Sequence, residues 1–287
     1  MTSEQQTTPT GKEASVDVSD EQILAFEQEV KDAEARERPL IGELEPLSAL
    51  YSEYERGSPV FCEKIKALDR EYQGFRRCRG DGNCFFRAFA FAWFESALSG
   101  DDTTLERIRQ RLTATKQQLL DVGFDWVALE DFYDMTVELL EMVARQRGQT
   151  LTEAATLSNE LRLGFVSEQG VYSNAAVVHL RMVASAYLRA HADDYLPFLE
   201  LATSMDQYCA QHVEAFGRES EEIHIIALTK ALRSIVNVVY LDGSTANDGR
   251  VSVHPFDGTE NATDATPAIT LLYRPGHYDI LYNRTAA

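Results

Sequence analysis

The sequence predicts a mixed α/β protein in which a helical lobe packs on a small, mainly antiparallel sheet at the C-terminus. Three observations predict it. Helical periodicity dominates to about residue 232, the period then falls towards two as β-branched residues cluster, and turn signals divide that last stretch into short strands.

Residues 1–20 contain no aromatic residue and only Met1, Val16 and Val18 as large aliphatics. So little apolar surface cannot offset the entropy of ordering, which predicts a disordered tail. Over residues 21–38, Ile23, Phe26 and Val30 fall near helical spacing in an acidic run, predicting a helix that ends before Pro39. Its narrow apolar stripe suits docking on a partner, and with ten acidic and four basic residues in positions 1–38 that partner's face is expected to be basic. Residues 39–287 are expected to form one folded unit.

Within that unit Phe61, Ile65, Leu68 and Tyr72 form one helical stripe, and Leu105, Ile108, Leu112 and Leu119 a second. Phe132, Met135, Leu139, Met142 and Val143 form a third. Strands are predicted at 235–241, 251–254, 268–273 and 278–282, separated by Asp-Gly, Asn-Asp-Gly and Pro-Gly turns.

The 287 residues carry 46 acidic and 27 basic side chains, a net charge of −19 that repels phosphate backbones and anionic membranes. Neither a membrane span nor a secretory leader is visible, so a cytoplasmic or nuclear location is expected. Cys62, Cys78, Cys84 and Cys209 show no paired spacing and are expected to be reduced thiols. The sequons at Asn261 and Asn283 are then expected to carry no sugar.

The sequence GDGNC at 80–84 is a glycine-bracketed turn feeding a run, from Phe85 to Phe94, that is apolar almost all round. Such a helix must lie at the centre of the fold, which puts Cys84 at its N-terminus. A buried cysteine is ordinarily a small hydrophobe. Here the positive end of a helix favours the thiolate, and the turn's N–H groups can face an oxyanion.

A thiol nucleophile needs an imidazole and a group to orient it. His277 and Asp279 stand two apart at the start of a predicted strand, so both leave the same face, shared with Leu281. His179, His191, His212 and His224 fall in helical stretches, where a spacing of two does not share a face, and His254 has no acidic residue two away. GxSxG, HExxH, GxxxxGK[ST] and GxGxxG are all absent, and residues 242–249 read as a hairpin loop rather than a calcium site.

The stretches GDGNCF at 80–85, followed by Arg87, Ala88 and Phe89, and LYRPGHYDILY at 272–282 resemble the otubains, ovarian-tumour-type deubiquitinating cysteine proteases. The resemblance continues through PLSALYSEY at 46–54, residues 64–68 and IHIIAL at 223–228, spanning about residues 23–283. It implies a papain-like α/β fold in which 39–287 is the catalytic domain, with isopeptidase activity that removes ubiquitin from lysine. In that reading Cys84 is the nucleophile, His277 the general base and then acid, and Asp279 the orienting group. Asp81 belongs to the signature, and its backbone N–H with that of Cys84 is implied as the oxyanion donor pair.

The resemblance implies no cofactor and no metal, a monomer, and ubiquitin and polyubiquitin as partners, with a preference for lysine-48-linked chains. It also implies that helix 21–38 binds the proximal ubiquitin or a ubiquitin-conjugating enzyme. Two departures stand out: Phe86 where many relatives have tyrosine, and a long loop at 242–267. Three functions are carried forward: a deubiquitinase, a non-catalytic inhibitor of conjugating enzymes, and a protease for another modifier.

Overall fold

The computed structural model describes residues 38–147, 154–166, 170–199, 203–244, 251–260 and 266–284. The predicted tail 1–20 and helix 21–38 lie outside these residues, Arg38 excepted.

Six strands form one sheet: β1 (Ile41–Glu45), β2 (Tyr72–Cys78), β3 (Ile235–Tyr240), β4 (Ser252–Asp257), β5 (Ile269–Arg274) and β6 (His277–Asn283), in the order β1-β2-β6-β5-β3-β4. Every pairing is antiparallel except the parallel contact of β3 with β5. The sheet is therefore mainly antiparallel, as expected, but it is not confined to the C-terminus. β1 and β2 come from a stretch with a helical pattern, and Tyr72, expected to close a helical stripe, opens β2 instead.

Two features of β2 hide it. It carries no β-branched residue, and Arg76 and Arg77 interrupt its apolar alternation. Arg76 is buried because each guanidinium nitrogen finds an acceptor: Nε donates to Tyr282 Oη (3.0 Å), Nη1 to the Gly42 carbonyl (3.2 Å) and Nη2 to Ser158 Oγ (2.8 Å).

The helices are α1 (Leu47–Tyr54), α2 (Pro59–Glu71), α3 (Cys84–Ser99), α4 (Asp102–Asp121), α5 (Trp126–Arg147), α6 (Ala154–Val166), α7 (Val171–Ala190), α8 (Ala192–Tyr195), α9 (Met205–Tyr208) and α10 (Glu222–Ala231). Helix α3 is buried at every position from Cys84 to Phe94, as an all-round apolar helix must be. Beneath it lie Ile41, Val236, Val238, Leu271 and Ile280 from one face of the sheet. The opposite face, with Phe75, Val239, Leu272 and Leu281, is covered by Leu47 and Leu50 of α1 and Ile65 and Leu68 of α2. Burial on both faces explains why β5 reads as a continuous apolar run.

The other stripes hold in part. Ile108, Leu112 and Leu119 are buried in α4, and Leu139 and Val143 in α5, where Leu140 joins them. Phe132, Met135 and Met142 are only half-buried. The strand expected at 251–254 runs on to Asp257 through Pro255, tolerated because β4 is an edge strand. The long loop is anchored where it begins, Lys64 Nζ donating to Asp242 Oδ1 (2.6 Å) and Ser244 Oγ (3.1 Å). Its residues 245–250 and 261–265 lie outside the described residues.

Candidate active site

The turn before α3 depends on a glycine. Gly82 has φ +75°, and a Cβ there would lie 1.9 Å from the Gly217 carbonyl oxygen. No side chain fits between these two backbones. Gly82→Ala is expected to cost about 2–4 kcal/mol from strain and clash together. That corresponds to a fall of roughly 5–15 °C in Tm, checked by thermal denaturation followed by circular dichroism.

Asn83 and Arg181 fix the turn to the rest of the domain. Both are fully buried, and Asn83 Oδ1 accepts from Arg181 Nη2 (2.9 Å) and from the Gly217 amide (2.8 Å). Arg181, from α7, also donates to the carbonyls of Gly82 (2.9 Å), Val213 (2.9 Å) and Arg218 (2.6 Å). Burial lowers the Arg181 guanidinium to about 10, which leaves it charged at neutral pH. This cation is held by oriented carbonyl and amide oxygens.

Cys84, 4 % exposed, opens α3 with its thiol beside the His277 ring. His277 Nε2 is 2.9 Å from Asp279 Oδ1, which leaves Nδ1 as the ring nitrogen that meets the thiol. Burial opposes the charged imidazole, but the hydrogen bonds and charges of Asp279 and Cys84 outweigh it and push His277 up to about 10. Asp279 is fully buried; burial works against its charge, and the His277, Arg274 and Cys78 contacts still hold its carboxyl below the usual range. Its Oδ1 also accepts from the Cys78 amide (2.9 Å), and its Oδ2 from Arg274 Nη2 (2.5 Å). The three expected residues thus meet at one point, in an arrangement suited to a thiolate–imidazolium pair.

Asp81 lies beside this group but is engaged within the turn. Its Oδ1 accepts from the Asn83 amide (3.0 Å) and its Oδ2 from Arg87 Nη2 (2.6 Å). Arg87, fully buried in α3, donates onward to Ser173 Oγ (2.6 Å) and Asn174 Oδ1 (3.0 Å) of α7. The carboxylate therefore braces the loop against α7. The Asn83 amide is occupied by it and so is not free to meet an oxyanion.

The remaining thiols and imidazoles are set apart by their surroundings. Burial pushes the Cys78 thiol well up and the Cys209 thiol to about 11, which disfavours the thiolate at both. His179 and His224 are lowered to about 3 by burial and stay neutral; they bond to Thr115 Oγ1 and Tyr208 Oη, each at 2.9 Å. His191 and His254 are exposed, and His212 stacks on Tyr208 at 5.0 Å. Among the described residues, no group of three or more His, Cys, Asp or Glu side chains could hold a metal ion.

Sequence reasoning missed Arg87, Arg181 and Arg274 as parts of the site. The signal was present: Arg87 and Arg181 are lone arginines inside apolar runs and Arg274 ends one, and a buried charge persists only where partners hold it.

The model of the family described as Peptidase C65 Otubain matches residues 33–283. The chain belongs to the otubain family. It is a family of cysteine peptidases, which fits a buried Cys84 and His277 in contact. This otubain is 40% identical over 262 residues to the ovarian tumor domain-containing deubiquitinating enzyme 1 of Arabidopsis thaliana, a match covering 88% of this chain and 83% of that protein. It is 37% identical over 264 residues to the ubiquitin thioesterase OTUB1 of Homo sapiens, covering 92% and 90%. A solved structure of h/ceOTUB1 with ubiquitin aldehyde and UBCH5B~Ub superposes with a TM-score of 0.76 at 30% identity, covering 93% of this chain and 98% of that one.

Proposed function

We propose that this otubain hydrolyses the isopeptide bond between the C-terminal glycine of ubiquitin and a lysine side chain, with Cys84 as nucleophile. The observation that carries this reading is His277 held between Cys84 and the buried Asp279, in a chain whose relatives are named ubiquitin thioesterases.

In this reading the Cys84 proton passes to His277 Nδ1, and the thiolate attacks the glycine carbonyl carbon. The oxyanion that forms takes hydrogen bonds from the backbone amides of Asp81 and Cys84, at the positive end of α3. His277 returns its proton to the departing lysine amine as the C–N bond breaks, leaving a thioester on Cys84. A water then gives a proton to His277 and attacks the thioester, and the thiol is regenerated. Asp279 holds the ring in one tautomer and orientation throughout. No step calls for a metal or an organic cofactor.

Every isopeptide bond in polyubiquitin offers the same atoms, so choice among linkages must come from surfaces that hold the two ubiquitins. The proposed preference is for lysine-48-linked chains, with residues 21–38 at the proximal ubiquitin. The activity is assigned to the cytoplasm or nucleus, where the four free cysteines persist.

A second reading has support from the comparisons: solved relatives carry UBCH5B~Ub and UBC13~Ub, so this chain is also a candidate inhibitor of ubiquitin-conjugating enzymes. A panel of di-ubiquitins of every linkage tests the main reading, with cleavage of the lysine-48 form expected. Cleavage of none, with retained binding to a conjugating enzyme charged with ubiquitin, would favour the second. Removing residues 1–38 is expected to slow di-ubiquitin cleavage at least about 10-fold more than hydrolysis of a ubiquitin C-terminal reporter, each 10-fold being 1.4 kcal/mol of proximal binding. Equal losses on both substrates would deny that segment a proximal role.

A further inference from the structure

Behind the three meeting residues lies a chain of charges that the mechanism above does not use. Asp279 Oδ2 accepts from Arg274 Nη2 at 2.5 Å, with the Arg274 side chain 12% exposed and the Asp279 side chain fully buried. Arg274 Nη1 reaches Glu53 Oε2 of α1 at 3.5 Å, with Tyr54 of the same helix close by. The other Glu53 oxygen accepts from Arg77 Nη2 at 2.5 Å, and Arg77 pairs in turn with Glu45 at 2.9 Å. Arg274 therefore sits between the Asp279 carboxylate and a carboxylate on α1, the helix that covers this face of the sheet.

We propose that Arg274 is a positioning residue for the reaction, fixing the Asp279 carboxylate and moderating its pull on His277. A carboxylate has two oxygens, and the two other donors to Asp279, the Cys78 amide and His277 Nε2, share Oδ1. Among the described residues only Arg274 engages Oδ2, so without it the carboxylate loses its lateral restraint and half of its pairing. The result is a His277 that is less well aimed at Cys84 and more tightly bound to its proton. Glu53 works in the opposite sense, drawing Arg274 away from Asp279.

Among the described residues, the charged and titratable groups around His277 and Asp279 include Cys84 and Arg87 of α3, Asp81 of the turn, Cys78 of β2, Arg181 of α7, Tyr278 of β6 and Arg274 of β5, with the Glu219 carboxylate over the Gly276 turn. Of these, Arg274 is the cation bonded directly to Asp279.

This inference rests on the Cys84–His277–Asp279 reading, and the test separates the two. The His277 ring is followed by nitrogen NMR in full-length Cys84→Ala protein, where loss of the thiol brings its titration down into a convenient range. Adding Arg274→Met is expected to raise the His277 pKa by about 1, and adding Glu53→Gln to lower it. With Cys84 present, Arg274→Met is expected to lower kcat on a ubiquitin C-terminal reporter about 10-fold to 100-fold with KM unchanged, and Arg274→Lys to restore part of it. An unmoved His277 titration or an unchanged kcat overturns the proposal. Should Arg274→Met fail to fold, Glu53→Gln, which leaves Arg274 in place, decides alone: a downward shift supports the proposal and no shift overturns it. If Asp279→Asn also leaves the His277 titration unmoved, the triad reading itself has failed.

Discussion

Replacing Cys84 with alanine is expected to lower kcat for di-ubiquitin cleavage by at least about 10⁴-fold, to the level of uncatalysed hydrolysis within an assay. The sulfur is the atom to which the acyl group would be transferred, and no neighbouring thiol can stand in for it. Cys78 lies in β2 with its thiol pushed up by burial, and its amide is tied to Asp279. The structural cost is small, because Cys84 is 4% exposed at a helix start and the change removes one buried atom worth about 1 kcal/mol. Fold and ubiquitin affinity should therefore persist, checked by circular dichroism and calorimetric titration alongside initial rates. Loss of folding with loss of activity would say instead that Cys84 is a packing residue.

Asp279→Ala is expected to damage both stability and rate. The substitution leaves the Cys78 amide and the Arg274 guanidinium facing a buried methyl group. Breaking a buried pair on one side costs about 3–5 kcal/mol, because the remaining charge stays desolvated. His277 also loses the group that fixes its tautomer, and kcat should fall about 10²- to 10⁴-fold.

The pH dependence of the stability loss has a definite sign. The Asp279 carboxyl is depressed in the folded protein, so its contribution is present above the unfolded value near 4 and fades as pH falls through the depressed value. His277 is raised to about 10, so its contribution is full below about 6.5 and fades as pH climbs towards 10. The gap in Tm between the wild type and Asp279→Ala should be widest between about pH 4 and 6.5 and narrow on either side. Melting curves from pH 3 to 10 check this, and a gap that is constant across the range would mean that neither group is coupled to folding through this contact.

Much of the site was legible because its chemistry is carried by local sequence. The glycine turn and the apolar run after it place Cys84 at the start of a central helix, and the two-residue spacing places His277 and Asp279 on one face of β6. The first half of the sheet was not legible. β1 is five residues with an irregular register against β2, and β2 holds two arginines whose burial depends on Gly42, Ser158, Tyr282, Glu45 and Glu53. No local signal marks the parallel contact of β3 with β5, which arises because the intervening β4 pairs at the outer edge. No local pattern encodes partners that lie more than 30 residues away, such as Gly42 for Arg76 and Asn83 for Arg181.

The central claim is that Cys84 attacks the C-terminal carbon of ubiquitin, and covalent capture tests it most directly. Wild-type protein is incubated with ubiquitin whose C-terminal glycine carries an electrophile, and the adduct is located by mass spectrometry of the intact protein and its peptides. A single ubiquitin attached through the peptide containing Cys84, lost in both Cys84→Ala and His277→Ala, is the predicted result. An adduct on Cys62, Cys78 or Cys209, or none with the folded wild type, would contradict it.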